Sequence, residues 1–198
     1  IGLVAIQDVP KPSSKDAIKE LKARGLMTVM LTGDNKRVAQ AIADEVGIDR
    51  VIAEVMPNDK AQQIKELQDK GKKVAFVGDG INDAPALSTA DVGIAMGSGT
   101  DIAIDSGGIV LVRNDLRGVV RALDISKKTF NRIKLNLFWA LIYNVIGIPI
   151  AAGLFAFVCL TLSPELAGLA MAFSSVSVVS SSLLLNKTKI AGDHVVQA

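Results

Sequence analysis

The sequence predicts an α/β domain built on a parallel sheet, followed by two helices that cross a membrane. Three observations carry this. Apolar runs at 26–31, 51–55, 74–77, 92–96 and 109–112 alternate with helical segments near 14–24, 35–46, 58–70, 82–90 and 100–106. Strands alternating with helices build a parallel sheet covered on both faces. Charge is dense through Lys134, absent from 135 to 164 and, after Glu165, absent again from 166 to 186. Polar strings containing Gly or Pro follow several apolar runs, at the strand ends where α/β sheets bind ligands.

The run 26–31 leads into Leu31-Thr32-Gly33-Asp34-Asn35. A hydroxyl and a Gly amide at a strand end both donate to phosphoryl oxygens. The same four residue types also make ordinary turns and helix caps. The run 51–55 leads into Pro57-Asn58-Asp59-Lys60. Pro opens a helix well, and Lys60 would project from its first turn as a point charge for a phosphoryl group. Taken alone, such a lysine is more often a solvated surface residue. In the helix near 58–70, Ala61, Ile64 and Leu67 form the inward stripe.

Val74 through Val77 reads as a buried strand, and Gly78-Asp79-Gly80-Ile81-Asn82-Asp83-Ala84-Pro85-Ala86-Leu87 follows it. Asp79 and Asp83 are hard oxygen donors and Asn82 a neutral one, a set suited to Mg²⁺ beside a phosphate. The alternative is a polar loop ending in a helix cap. Hydroxyl, cation and carboxylates, each at a strand end, together favour phosphoryl chemistry.

Each uncharged stretch exceeds the ~20 apolar residues a helix needs to cross ~30 Å of hydrocarbon. The expected spans are about 136–158 and 166–186, so the domain boundaries fall at 1–125 for the soluble part and 126–198 for the membrane part. Lys127, Lys128, Arg132 and Lys134 precede the first span, and Lys187 and Lys189 follow the second. The positive-inside rule puts the soluble domain and both ends of the chain in the cytoplasm. A helix from about Asp115 to Lys134 would run straight into the first span.

Polar residues inside a membrane point to function. The first span carries Tyr143-Asn144, then Gly147 and Pro149, where the helix should kink. In the second, Met171 and Ser175 are four apart and share a face. A thioether is a soft ligand suited to Cu(I), whereas pumps for hard cations, and zinc, call for carboxylates in mid-membrane. Alternatively, the serines let helices pack closely and Met171 fills a gap.

The strings Thr32-Gly33-Asp34, Pro57 through Lys60, Gly78 through Leu87 and Ala95 through Asp101 resemble the phosphorylation domain of P-type ATPases, of the haloacid dehalogenase-like fold. Asp8-Val9-Pro10-Lys11-Pro12 is similar to that family's hinge. Tyr-Asn in one span and Met-x-x-Ser-Ser in the next resemble the copper-transporting, heavy-metal subclass. The resemblance implies a pump, with export as the direction, that couples formation and hydrolysis of an aspartyl phosphate to metal movement. It implies ATP as substrate, Mg²⁺ on Asp79 and Asp83, and Thr32, Gly33, Asp34, Lys60 and Asn82 at the transferred phosphoryl. It also implies Cu(I) passing Tyr143, Asn144, Met171 and Ser175, and a copper chaperone as partner beside membrane lipid.

The chain contains no Asp-Lys-Thr-Gly-Thr string, where that family accepts phosphate, and no Cys-Pro-Cys. It therefore reads as the C-terminal piece of a longer pump, missing its N-terminal portion and inactive alone. The alternative is a truncated, catalytically inactive, membrane-anchored regulatory or interaction fragment. A tethered phosphatase of the same fold fails on the same absent nucleophile. Net charge is +2, with Lys and Arg spread over helix faces, which argues against a nucleic-acid partner. Cys159 is the single cysteine, so an internal disulfide is excluded; it reads as a small buried apolar residue, and His194 as solvated.

Overall fold

A computed structural model describes residues 9–79, 81–97, 105–153 and 164–184. The chain divides into two units, 1–120 and 121–198. In chain order the first unit contains α1 (Pro12–Ala23), β1 (Val29–Leu31), α2 (Lys36–Val46), β2 (Arg50–Ile52), α3 (Lys60–Asp69), β3 (Ala75–Gly78), α4 (Ala84–Thr89), β4 (Val92–Met96) and β5 (Ile109–Leu111). The helix α5 (Arg117–Ala151) begins there and continues into the second unit, which also holds α6 (Pro164–Leu183).

All strand pairs are parallel, as the alternation of strand and helix predicts, but they form two sheets: β1–β2 and β3–β4–β5. Among the described residues no hydrogen bond joins β1 to β3, so each presents a free edge.

The larger sheet is covered on both faces, and the two-residue period of β4 explains how. Ile94 and Met96 point one way, into a cluster with Leu111 and Val119, against which Leu21 of α1 packs. Ala95 points the other way, against Leu87 of α4 and Phe76. Gly93 fits because a Cβ there would strike the Leu87 carbonyl oxygen. The small sheet rests on α2, whose Ala39, Ala43 and Val46 are buried. Asn35 caps α2, accepting from the Val38 N–H at 3.0 Å, and Gly47 ends it in the left-handed conformation at φ +84°.

At the amino ends of the strands, carboxylates pin the sheets. Asp49 accepts from the Thr28 N–H and hydroxyl, both at 2.9 Å, and pairs with Lys22 at 2.6 Å. These bonds, the Lys22 one foremost, lower its pKa to about 2. Asp91 does the same for β3, taking Lys73, the Val74 N–H and Gln68, and its carboxyl lies well below the usual range.

In the second unit, α5 is long and apolar enough to cross a membrane, and it is continuous from Arg117, as the sequence suggests. Its described part reaches Ala151, with Pro149 in the last turn and Gly153 left-handed at φ +81° just after, and 154–158 of the expected span lie outside the described residues. α6 spans 20 residues, and its apolar stretch is Met171–Leu183. The two helices are joined by side chains: Arg132 donates to Ser181 at 3.1 Å, and Asn136 to Ser182 at 2.9 Å. Cys159, His194, Asp8 and Ser98 through Asp101 lie outside the described residues.

Candidate phosphoryl and metal sites

The three strand-end loops are built from local backbone chemistry. After β1, the Thr32 hydroxyl donates to Asp34 Oδ2 at 2.9 Å and accepts from the Asp34 N–H at 3.1 Å. The loop after β2 closes on it: Val55 N–H donates to the Thr32 carbonyl at 3.1 Å, and Glu54 N–H to the Asp34 carbonyl at 2.9 Å. Glu54 holds a left-handed φ of 60°, and its carboxylate accepts from the Lys36 N–H at the start of α2, at 3.3 Å. The backbone of Gly33 runs close to this loop, where a Cβ would stand 3.4 Å from the Val55 carbonyl oxygen, at ordinary contact. The turn-and-cap chemistry that the sequence offered as an alternative is therefore present at Asn35, while Thr32 and Gly33 remain at the strand end.

The same β2 loop runs into a 3₁₀ turn, Pro57–Asp59, which delivers Lys60 as the first residue of α3. Lys60 Nζ reaches Asp83 Oδ1 at 2.7 Å, with the side chains 18% and 11% exposed. This pair spans the ends of the two sheets, because Asp83 belongs to the loop after β3. The other Asp83 oxygen accepts from the Asp79 N–H at 3.3 Å. Gly78 leaves room for that carboxylate; a Cβ there would lie 2.8 Å from Asp83 Cβ.

The two carboxylates that the sequence paired stand side by side in different surroundings. Asp83 is 8% exposed and engaged by protein donors through both oxygens. Asp79 is exposed at the strand end, its carboxylate open to a ligand. Asn82 is exposed one residue before Asp83. Among the described residues no cluster of three or more His, Cys, Asp or Glu side chains forms a complete metal cage. One open carboxylate is the donor set of a cation that keeps waters and takes phosphate oxygens, which fits Mg²⁺.

Sequence reasoning missed a cavity of about 360 Å³ beside Asp79, with Lys11, Ser14, Val77, Met96 and Asn114 in its wall. Its signal was the Pro-Lys-Pro string, read only as a hinge.

The membrane residues are less assembled. Met171 and Ser175 share a face of α6, where the Ser175 hydroxyl donates to the Met171 carbonyl at 3.2 Å. Asn144 donates to the Ala140 carbonyl of its own helix at 3.1 Å, and the Tyr143 ring lies 6.5 Å from that of Trp139. Among the described residues no hydrogen bond joins Tyr143 or Asn144 to Met171 or Ser175.

Residues 1–91 match the haloacid dehalogenase-like hydrolase family. The chain is 58% identical over 185 residues to a probable copper-exporting P-type ATPase of Archaeoglobus fulgidus, covering 93% of this chain and 23% of the relative. It is 55% identical over 184 residues to copper-transporting ATPase 1 of Mus musculus, covering 93% of this chain and 12% of that one. Among solved structures it matches a zinc-transporting PIB-type ATPase in the E2·Pi state, with a TM-score of 0.80, 38% identity, and coverage of 90% of this chain and 28% of the other. The chain spans a quarter or less of the length of these two relatives. Over the length that matches, the chain is similar to P-type ATPases, and its first 91 residues to haloacid dehalogenase-like hydrolases.

Proposed function

We propose that the chain is the phosphorylation domain and membrane hairpin of an ATP-driven Cu(I) pump that works as an exporter. The observation that supports this most is the meeting of Lys60, Asp83 and Asp79 at the carboxyl ends of two parallel sheets. In this reading the γ-phosphoryl of ATP passes to an aspartate carboxylate, releasing ADP, and water later cleaves the acyl phosphate. The accepting aspartate is assigned to a part of the pump outside this sequence. The free edges of β1 and β3 are suited to a strand carrying it, which would stand between Thr32 and Asp79.

Lys60, oriented by Asp83, offsets negative charge on the transferred group, and the Thr32 hydroxyl, the Gly33 amide and Asn82 orient its oxygens. Asp34 holds the Thr32 hydroxyl in place. When bound, Mg²⁺ on Asp79 would supply further charge stabilisation, with Asp83 directly behind it.

Both α5 and α6 are assigned as spans, with the soluble unit and both chain ends on the cytoplasmic side. Tyr143, Asn144, Met171 and Ser175 are assigned to the Cu(I) path. A zinc reading is favoured by the solved structure the chain matches. The absence of a carboxylate from 135–164 and 166–186, beside a thioether at Met171, favours copper. A copper chaperone is proposed as the donor of the ion. The deciding experiment measures Cu(I)- and Zn²⁺-stimulated phosphoenzyme formation by the intact protein. Stimulation by Cu(I) alone supports the reading, and stimulation by Zn²⁺ alone overturns it.

A further inference from the structure

Among the described residues, Glu54 is the one non-glycine residue with a left-handed backbone, at φ 60°. Glycine takes that conformation freely, whereas a side chain of this size is strained in it. Such strain persists only where surrounding bonds hold it, and it gathers at functional sites. Here the bonds that hold it lead to the loop after β1. The Glu54 N–H donates to the Asp34 carbonyl at 2.9 Å, and the next amide, Val55 N–H, to the Thr32 carbonyl at 3.1 Å. The Glu54 carboxylate accepts from the Lys36 N–H at 3.3 Å.

The first two bonds are made by backbone alone, and the third needs this side chain. Capping does not explain it. α2 already has Asn35, whose side chain accepts from the Val38 N–H at 3.0 Å. The second acceptor comes from 18 residues further along the chain. It stands on the loop that continues through Pro57–Asp59 to Lys60. Glu54 therefore lies between two groups of the phosphoryl site. On one side the Thr32 hydroxyl is fixed by Asp34 at 2.9 Å, and the Asp34 carbonyl is in turn held by the Glu54 amide. On the other side Lys60 Nζ reaches Asp83 at 2.7 Å.

We propose that Glu54 is a positioning residue for phosphoryl transfer, tying the Thr32 loop to the Lys60 loop so that hydroxyl and ammonium address one phosphoryl group. Two donors on separate loops stabilise the same transition state only while the loops keep their spacing, and a drift of about 1 Å loses much of the rate. Glu54 touches no phosphoryl oxygen in this arrangement; it acts through Asp34 and Thr32. The inference rests on the pump reading and adds to it a residue outside the three strand-end motifs.

The test uses the intact pump that carries this chain. The rate of phosphoenzyme formation from ATP, its maximal level and the melting temperature are measured for wild type, Glu54→Gly, Glu54→Gln, Thr32→Ala and the Glu54→Gly, Thr32→Ala double variant. The maximal level counts folded sites, so the rate per site is read even where part of a variant fails to fold. Glu54→Gly removes the carboxylate and relieves the backbone. It should melt close to wild type yet form phosphoenzyme about tenfold more slowly per site, with the KM for ATP within about twofold. Glu54→Gln keeps an acceptor for the Lys36 amide and should recover most of that rate. Because Glu54 acts through Thr32, Glu54→Gly should slow the Thr32→Ala pump by no more than about twofold. A wild-type rate per site in Glu54→Gly overturns the proposal, and so do losses that multiply in the double variant. A lowered melting temperature with a wild-type rate per site also overturns it, leaving Glu54 as a structural cap. If the pump reading itself is wrong, wild type forms no phosphoenzyme, which is a distinct result.

Discussion

The candidate phosphoryl residues and the candidate membrane residues are both read from short motifs, yet among the described residues hydrogen bonds between elements join only the first set. Lys60, Asp83 and Asp79 meet because each sits within a few residues of a strand end, and parallel strands bring their carboxyl ends to one side. Their geometry follows from the backbone: a 3₁₀ turn delivers Lys60, and Gly78 makes space for Asp83. Asn144 and Ser175 instead bond to carbonyls four residues back on their own helices. A helix satisfies its own backbone and leaves its polar side chains to find partners on neighbours. Two helices offer few such partners, whereas a sheet with its covering helices offers many.

That contrast is most exposed to Asp79→Asn in the intact pump. It should abolish Mg²⁺-dependent phosphate release, a loss of at least about a hundredfold if Asp79 is the metal carboxylate; near wild-type turnover would remove the assignment. Lys60→Met tests whether the site is also structural. Breaking a buried pair while leaving Asp83 behind should cost about 3 kcal/mol in unfolding of the chain, and Lys60→Met with Asp83→Leu should cost less than Lys60→Met alone. Equal losses in both would show that the pair does not hold the loops.

Gly93→Ala drives a methyl into the Leu87 carbonyl and should destabilise by about 1–3 kcal/mol, read as a lowered melting temperature. Met171→Ala, by contrast, should weaken Cu(I) transport roughly tenfold, the range for a perturbed ligand set, while the soluble unit melts unchanged. Transport at wild-type rates would end the ligand role.

The smallest effect concerns pH. The Asp49 carboxyl titrates near 2 in the fold against 3.8 ordinarily. Its contribution is therefore complete above about pH 4 and is lost as pH falls toward 2. Asp49→Asn should flatten the acid-unfolding curve in that window alone, as followed by circular dichroism.

Much of this organisation was legible in the sequence for a physical reason. Apolar runs and the residues that break them are local, so strand ends, caps and the long apolar helix could be placed. Pairings between distant residues were not legible. Nothing in Pro57 through Lys60 says that its lysine will reach Asp83, and nothing in Lys11 says that it donates to the Asn114 carbonyl. The division into two sheets was equally hidden, because an apolar run does not name its neighbour.

Glu54 shows how such a fold holds an uncomfortable residue. A left-handed backbone costs a side chain of this kind about 1–2 kcal/mol, and here the amide donates to Asp34 while the carboxylate receives the first amide of α2. The position is thus a reserve of stability for protein engineering. An asparagine there would tolerate the dihedral better and still present an acceptor, raising thermal tolerance without replacing Thr32, Lys60, Asp79 or Asp83.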